Sequence, residues 1–340
     1  MKELIRRGSG EIIFVAALLA ALALVLDPFR LSTVAKYMSF AFVAIGIVLM
    51  WGYGGVLSLG QGIFFGMGGY MMAMFLKLEA SAPELPDFMM WSSVETLPTW
   101  WQPFHHLGWT LLLILVVPSV VAYLFSYAVF RKRVGGVYFA IVTLALALTL
   151  TVLIIGQQGD TGGANGITDF RTLLGWDIVG DQSKLVLYAV HAVLLVVAMA
   201  VCRAILHSRF GKVLIAIRDR EDRVRFSGYN TAHIKAFVFA VSALLSSIGG
   251  AFYALQVGMI SPDTIGVVTS IEMVIYAAVG GRLSVGGAVI GALLVGLMKS
   301  YLSEAFPEVW LYFLGALFIL VVAFMPHGLA GVASRLRVSR

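Results

Sequence analysis

The stretch WTLLLILVVPSVVAYLFSYAVFRKRVGGVYFAIVTLALALTLTVLIIGQ, Trp109 to Gln157, holds two apolar runs, about 109–130 and 136–157, separated by RKR at 131–133. Each run matches the roughly 20 residues that cross a bilayer as a helix. A segment alone in lipid must satisfy its own backbone hydrogen bonds, and that selects helix. Three adjacent cations do not belong in hydrocarbon, so they mark a turn held in water.

Worked outward from this hairpin, the same pattern fills the chain. Further candidate spans lie at about 11–27, 34–51, 56–77, 184–203, 236–256, 266–281, 284–302 and 309–326. The third and ninth are rich in glycine and are candidates for broken or re-entrant segments, and the eighth is short. The fold class expected is an all-α, polytopic integral membrane protein with about 10 transmembrane helices (8–11), forming one transmembrane domain over residues 1–340. Composition agrees. Of 340 residues, 60% are hydrophobic and 12% charged, and the mean hydropathy is +0.94. A soluble domain is about half apolar and about a quarter charged, and a core of this size could not hide the excess.

Net charge is +6, and its placement explains it better than nucleic acid would. Basic residues gather at Lys2, Arg6 and Arg7, at 131–133, between Arg203 and Lys235, at Arg282, and at Arg335, Arg337 and Arg340. The alternate connections hold EASAPELPDF and SEAFPE, acidic and without Lys or Arg. The positive-inside rule then puts both termini in the cytoplasm. It makes 79–108 and 158–183 external loops and 203–235 a cytoplasmic one. The N-terminal MKELIRRGSGEIIFVAALLAALALVL has the look of a signal peptide, but the spans that follow favour a retained first helix.

Gly62 with Gly66, and Gly287 with Gly291, are small-xxx-small pairs expected to bring helices close. GGVLSLG at 54–60 and GGRLSVG at 280–286 share a GGxLSxG pattern, which same-sense duplication or simple glycine bias would explain.

Catalytic signatures are missing from the sequence. Cys202 is the single cysteine, which excludes an intrachain disulfide. The six histidines show no HExxH spacing, and there is no GxSxG elbow and no Walker A loop. No metal or cofactor is expected in this chain, and no enzyme activity of its own. Intramembrane acids are costly and often functional. Glu272 is the main one, with Lys299 as its candidate partner. Ser58 and Gln61, among the glycines of SLGQGIFFG, offer polar groups for a solute or a tight helix crossing.

The cytoplasmic loop carries IAIRDREDRVRFSG, Ile215 to Gly228, half of it charged. Leu214, Ile217 and Phe226 fit an apolar stripe. Arg218 with Asp222, and Glu221 with Arg225, are opposite-sign i,i+4 pairs, and Gly228 suits a helix end. Topology alone needs basic residues, so the mixed signs point to an amphipathic helix that docks a cytoplasmic protein.

This loop resembles the coupling region of ABC-importer permeases of the branched-chain amino-acid type, the LivM-like family. Ala216, Ile217, Arg218, Asp219, Glu221 and Gly228 fit its approximate AIRE-x-E…G pattern, while Arg220, Asp222 and Arg223 depart from it. GVLSLGQGIFFGMGGY at 55–70, TGGANGI at 161–167, SIEMVIYAAVGGRLSVGGAVIGA at 270–292 and MPHGLAGV at 325–332 extend the resemblance over most of the chain. Within the family, IRDREDRVRFSGYN, GITDFRTLLGWDI and LPDFMMWSSVETLPTWWQPF look like the urea-specific permease subunit, the UrtC type.

The resemblance implies a permease subunit in the bacterial inner membrane, forming half of the pathway for urea in an ATP-driven importer. The implied partners are a homologous second permease subunit, two cytoplasmic ATP-binding subunits that hold ATP and Mg, and a periplasmic substrate-binding protein. ATPase coupling would fall to the matching loop residues together with Arg223, and the substrate pathway to Ser58, Gln61, Glu272 and Tyr276. A branched-chain amino-acid or short-amide permease is the nearest alternative. A passive small-solute channel or a secondary carrier would leave the mixed-charge loop without a purpose.

Overall fold

The structure, a computed structural model, describes residues 2–324 and 328–331. Residues 325–327 and 332 of the closing motif and the basic tail at Arg335, Arg337 and Arg340 lie outside them, as do the side chains of Lys2, Arg6 and Arg7. The helices are α1 (Lys2–Val25), α2 (Pro28–Ile47, continued by a π turn Val48–Tyr53), α3 (Gln61–Ser81), α4 (Asp87–Trp91), α5 (Leu107–Arg131), α6 (Val137–Gly156) and α7 (Gln158–Thr161). After a hairpin of β1 (Thr172–Leu173) and β2 (Trp176–Asp177) come α8 (Asp181–His207), α9 (Arg209–Phe226), α10 (Thr231–Val257), α11 (Val267–Gly280), α12 (Val285–Ala305) and α13 (Trp310–Phe324).

Among the described residues, each of the ten expected spans is helical over most of its length. Seven are long and apolar enough to cross a membrane; the apolar parts of α1, α11 and α13 are shorter. The chain is therefore an all-α polytopic membrane protein, with one two-residue hairpin as its only paired strands among the described residues. The glycine-rich ninth span, α12, runs unbroken, whereas the third starts late. Residues 54–60 are unwound and largely buried before α3 begins at Gln61. Unwound backbone is tolerated at such depth only where protein surrounds it, and α6 supplies that cover. Thr143 Oγ1 accepts from Leu59 N at 3.1 Å.

The centre of the bundle is α10, packed against α2, α3 and α5. One row of small residues makes this approach feasible. A Cβ on Gly250 would collide with the Phe65 carbonyl, and one on Gly249 with the Ser39 carbonyl. Ser247 donates across to Ile114 O at 2.7 Å. In lipid, where burial supplies little drive, close backbones and such hydrogen bonds hold helices together. The two small-xxx-small pairs act the same way. Gly62 and Gly66 seat on Ile265, and Gly287 and Gly291 on α11 between Tyr276 and Gly280.

The two GGxLSxG stretches form side-by-side turns. Their second glycines, Gly55 and Gly281, have φ of +72° and +122°. Each turn leads directly into a helix, and Tyr53 Oη donates to Leu283 O at 2.6 Å.

The long segments 79–108 and 158–183 pack on each other at the bundle end opposite α9. Trp101 Nε1 donates to Asp160 O at 2.9 Å. The Glu79 carboxylate accepts from Leu174 N and Gly175 N, at 2.8 and 2.7 Å, and so clamps the hairpin turn to α3.

Candidate functional site

Two places gather most of the polar side chains singled out in the sequence, and they lie at opposite ends of α10. At its N-terminal end sits α9. Ser208 caps α9, its hydroxyl accepting from Gly211 N at 3.3 Å. Leu214 and Ile217 are buried beneath it. Arg218 lies across the Gly54–Gly55 turn and donates Nη1 to Gly52 O at 2.9 Å. A side chain at Gly55 would strike the Arg218 stem, so this glycine is needed for the approach as well as for its positive φ. The first GGxLSxG turn is thus the seat of α9.

The helix does not run straight. Arg220 adopts φ −153° and ψ 79°, a kink within α9. This overturns two expectations. Arg218 pairs with the adjacent Asp219 at 3.0 Å instead of with Asp222, because the kink breaks the i,i+4 register. Phe226 leaves the apolar stripe and is 93% exposed, and Val224 takes the buried position. The second pair holds, since both partners lie beyond the kink: Glu221 meets Arg225 at 3.0 Å.

Glu221 does more than that. Its carboxylate also accepts from Lys235 Nζ at 2.8 Å and from Thr231 Oγ1 at 3.0 Å, tying α9 to the first turn of α10. Partial burial pushes the Glu221 carboxyl up, but the hydrogen bonds and charges of Lys235, Thr231 and Arg225 outweigh it and hold the carboxyl below its usual value. Gly228, at φ +89°, ends α9. Gly228 N donates to Arg225 O and Tyr229 N to Val224 O, the paired bonds of a Schellman motif. Ala216, Asp219, Arg220, Asp222, Arg223, Phe226 and Tyr229 are left exposed. That surface combines both charge signs with two aromatic rings.

At the other end of α10 is a cavity of about 140 Å³, lined by Lys36, Tyr37, Phe40, Tyr253, Ser261, Asp263, Thr264, Thr269, Glu272 and Lys299. None of these side chains is aliphatic. Phe40 forms part of its wall, stacked on Phe65 at 5.0 Å and edge-on to Tyr253 and Tyr276 at 5.6 and 5.7 Å. Glu272, with its side chain 3% exposed, meets Lys299 Nζ through both oxygens, at 2.7 and 2.8 Å. Tyr276 Oη donates to Glu272 at 3.4 Å.

The backbone at 261–264 is held in place by TGGANGI. Ile167 and Ile260 exchange both backbone hydrogen bonds, at 2.9 and 3.0 Å. Gly166, at φ +72°, lies so close to Ile260 and Ser261 that a side chain has no room. That motif therefore serves the cavity wall.

The four residues expected along the pathway separate. Glu272 lines the cavity, whereas Tyr276 is buried behind it, hydrogen-bonded to Glu272 but not part of the wall. Ser58 and Gln61 sit at the start of α3 and do not line it. Ser58 Oγ accepts from Gly60 N at 3.3 Å, and Gln61 Oε1 accepts from the Ser246 hydroxyl at 3.0 Å, both buried. The sequence reading missed Lys36, Tyr253, Asp263 and Thr269. A lysine inside the second apolar span was a visible signal for Lys36. Asp263 carried none, because only the folding-in of 258–266 brings it to the cavity; Thr269 lies on α11, three residues before Glu272.

Comparison with known proteins places this geometry. Residues 29–322 match the model of the family described as branched-chain amino acid transport system / permease component. The chain is similar to the high-affinity branched-chain amino acid transport system permease protein LivM of Escherichia coli, 26% identical over 316 residues, covering 86% of this chain and 68% of the relative. It is also similar to LivH of the same organism, 24% identical over 306 residues, with 86% and 91% covered. The ribose import permease protein RbsC of Escherichia coli is 28% identical over 177 residues, half of this chain and 54% of the relative. No solved structure matches. These relatives are permease proteins, in keeping with a transport subunit and not an enzyme.

Proposed function

This chain belongs to the family of branched-chain amino acid transport system permease components, and from that premise we propose that it forms half of the transmembrane pathway of an ATP-driven importer of urea in the bacterial inner membrane. A homologous permease subunit would supply the other half, and the resemblance of this chain to both LivM and LivH supports such a pair. Two cytoplasmic ATPase subunits would hold ATP and Mg, and a periplasmic binding protein would deliver the solute to the face built by 79–108 and 158–183. Both termini would lie in the cytoplasm, with α9 as the helix that receives the ATPases. Motion would enter through Ala216–Arg223 and Gly228 and pass into α10 through Glu221. From Thr231 to Tyr253 that helix runs roughly 33 Å, which carries the movement to the cavity.

One observation carries the choice of solute. The cavity is walled by hydroxyl, carboxylate, ammonium and aromatic groups, with no aliphatic side chain. Urea, small and neutral, offers N–H donors and one carbonyl acceptor, and such a wall meets both. A branched aliphatic side chain would meet apolar surface only on the aromatic rings of Tyr37, Phe40 and Tyr253, among charged and hydroxyl groups. A second reading, import of branched-chain amino acids, is favoured by the printed names of the LivM and LivH relatives and by the presence of both charge signs, which would suit a zwitterion. Uptake of labelled urea and labelled leucine, in cells lacking other carriers for each, separates the two. Urea accumulation that leucine does not inhibit is the expected result. Leucine accumulation without urea uptake would replace the first reading by the second.

A further inference from the structure

Within the transport reading above, on which this step rests, two charged groups of the cavity stand out because, among the described residues, neither side chain makes an ion pair or a hydrogen bond. Glu272 and Lys299 neutralise one another. Lys36 Nζ, by contrast, makes no ion pair or hydrogen bond among the described residues; its neighbour is the Tyr37 ring, 5.8 Å away. The Asp263 carboxylate, on an exposed residue at the cavity's rim, is likewise without a protein partner among the described residues, since Thr269 donates to the Asp263 backbone carbonyl. A partly buried cation in a bundle wall is costly unless something offsets it. Here a cation and an anion, contributed by separate elements, face one small space.

We propose that Lys36 and Asp263 are the two recognition poles of a solute-binding site. The Lys36 ammonium donates to a carbonyl or carboxylate oxygen of the solute, and the Asp263 carboxylate accepts from its N–H groups. The Glu272–Lys299 pair, neutral in total and locked by two short contacts, forms a fixed wall beside them. The Phe40–Phe65–Tyr253–Tyr276 cluster closes the site on its apolar side. The chemistry this selects is a compact solute with an oxygen acceptor at one end and N–H donors at the other, and no large apolar group. Urea and the head group of an α-amino acid share that chemistry, so the test must tell them apart.

The test is ATP-driven uptake by the complete importer in proteoliposomes, with KM and kcat measured separately for Lys36→Met, Lys36→Gln and Asp263→Asn. A hydrogen bond to a charged group contributes about 1.5–3 kcal/mol, so its loss raises KM about tenfold or more. Lys36→Met and Asp263→Asn are expected to raise KM by that factor while kcat changes less than about twofold. Lys36→Gln keeps an N–H donor without the charge. With urea it is expected to restore most of the affinity lost in Lys36→Met; with an amino acid, whose carboxylate needs the cation, it is not. Gln and Asn conserve size, so they report even where Met fails to fold, and size-exclusion profiles check assembly. KM within twofold of the unmodified protein in both Lys36→Gln and Asp263→Asn, for whichever solute is carried, overturns the proposal if Lys36→Met is also unchanged or unfolded. An unmodified importer that accumulates neither solute with ATP overturns the transport reading itself, and this assignment with it.

Discussion

Replacing Glu221 by Gln tests the junction between α9 and α10 with the smallest possible change. The carboxylate receives Lys235 at 2.8 Å, Arg225 at 3.0 Å and the Thr231 hydroxyl at 3.0 Å. The amide keeps the shape but loses the charge, and it turns one acceptor into a donor that faces cations. The Arg225 contact is a half-exposed i,i+4 pair, contributing about 0.3–0.5 kcal/mol. The Lys235 side chain is 8% exposed, so depriving it of its counter-charge costs about 1–3 kcal/mol. Together these weaken the α9–α10 junction by roughly 2 kcal/mol, about a 30-fold shift in its local equilibrium. In the reconstituted importer, the variant is expected to insert normally, to retain basal ATPase activity and to lose most of its coupled uptake. Hydrogen exchange reads the junction independently, because the amides of residues 221–226 should lose protection by a similar factor.

The pH dependence follows from the same contacts. Because the folded-state carboxyl is held below its ordinary value of 4.5, its contribution is fully present above that value. It is lost as pH falls through the lowered one. Protection of α9 should therefore be flat from pH 8 to about 5 and decline in stronger acid, and the Gln variant should lack that acid step. Wild-type protection and wild-type coupled uptake in Glu221→Gln would refute the reasoning.

Two further changes probe the bundle. Lys299→Met strands the buried Glu272 carboxylate and is expected to cost about 3–5 kcal/mol, seen as a lower unfolding temperature in detergent. Adding Glu272→Gln should recover most of the loss, and a double variant no better than the single one would count against the pair. Gly250→Ala drives a methyl into the Phe65 carbonyl and should cost about 1–3 kcal/mol by overpacking, whereas Gly315→Ala, where nothing lies within 4 Å, should be silent by the same measurement.

The positions of the helices were legible because lipid leaves the sequence few alternatives. An apolar run of sufficient length must become helix, and among the described residues all ten runs are helical over most of their length. Contacts that depend on one helical turn were legible too: Glu221 with Arg225, and Gly228 as a terminus. Glu272 with Lys299 was readable across 27 residues because two intramembrane charges of opposite sign have few other partners.

Periodicity failed at Arg220. No glycine or proline marks the kink in α9, so Arg218 and Phe226 were assigned to a straight helix that does not exist there. At residues 54–60 periodicity alone gives helix, but the glycines marked the third span as a candidate for a break, and its backbone there is unwound and hydrogen-bonded to α6. The cavity was legible only in part, through Glu272 and its partner Lys299. Its wall is collected from α2, α10, α11, α12 and the 258–266 segment, and the positioning of that segment by TGGANGI is a tertiary event with no local sequence period.

The central claim is that this chain is a passive half-pathway driven by a motor it does not contain. Labelled-solute uptake into proteoliposomes tests it directly, comparing this chain alone with the chain assembled with its partner permease, ATPases and binding protein. The account predicts no uptake by the chain alone, and concentrative uptake by the assembly only when ATP is enclosed on the α9 side. Saturable uptake by the chain alone, without ATP, would contradict it and make the protein a channel or secondary carrier.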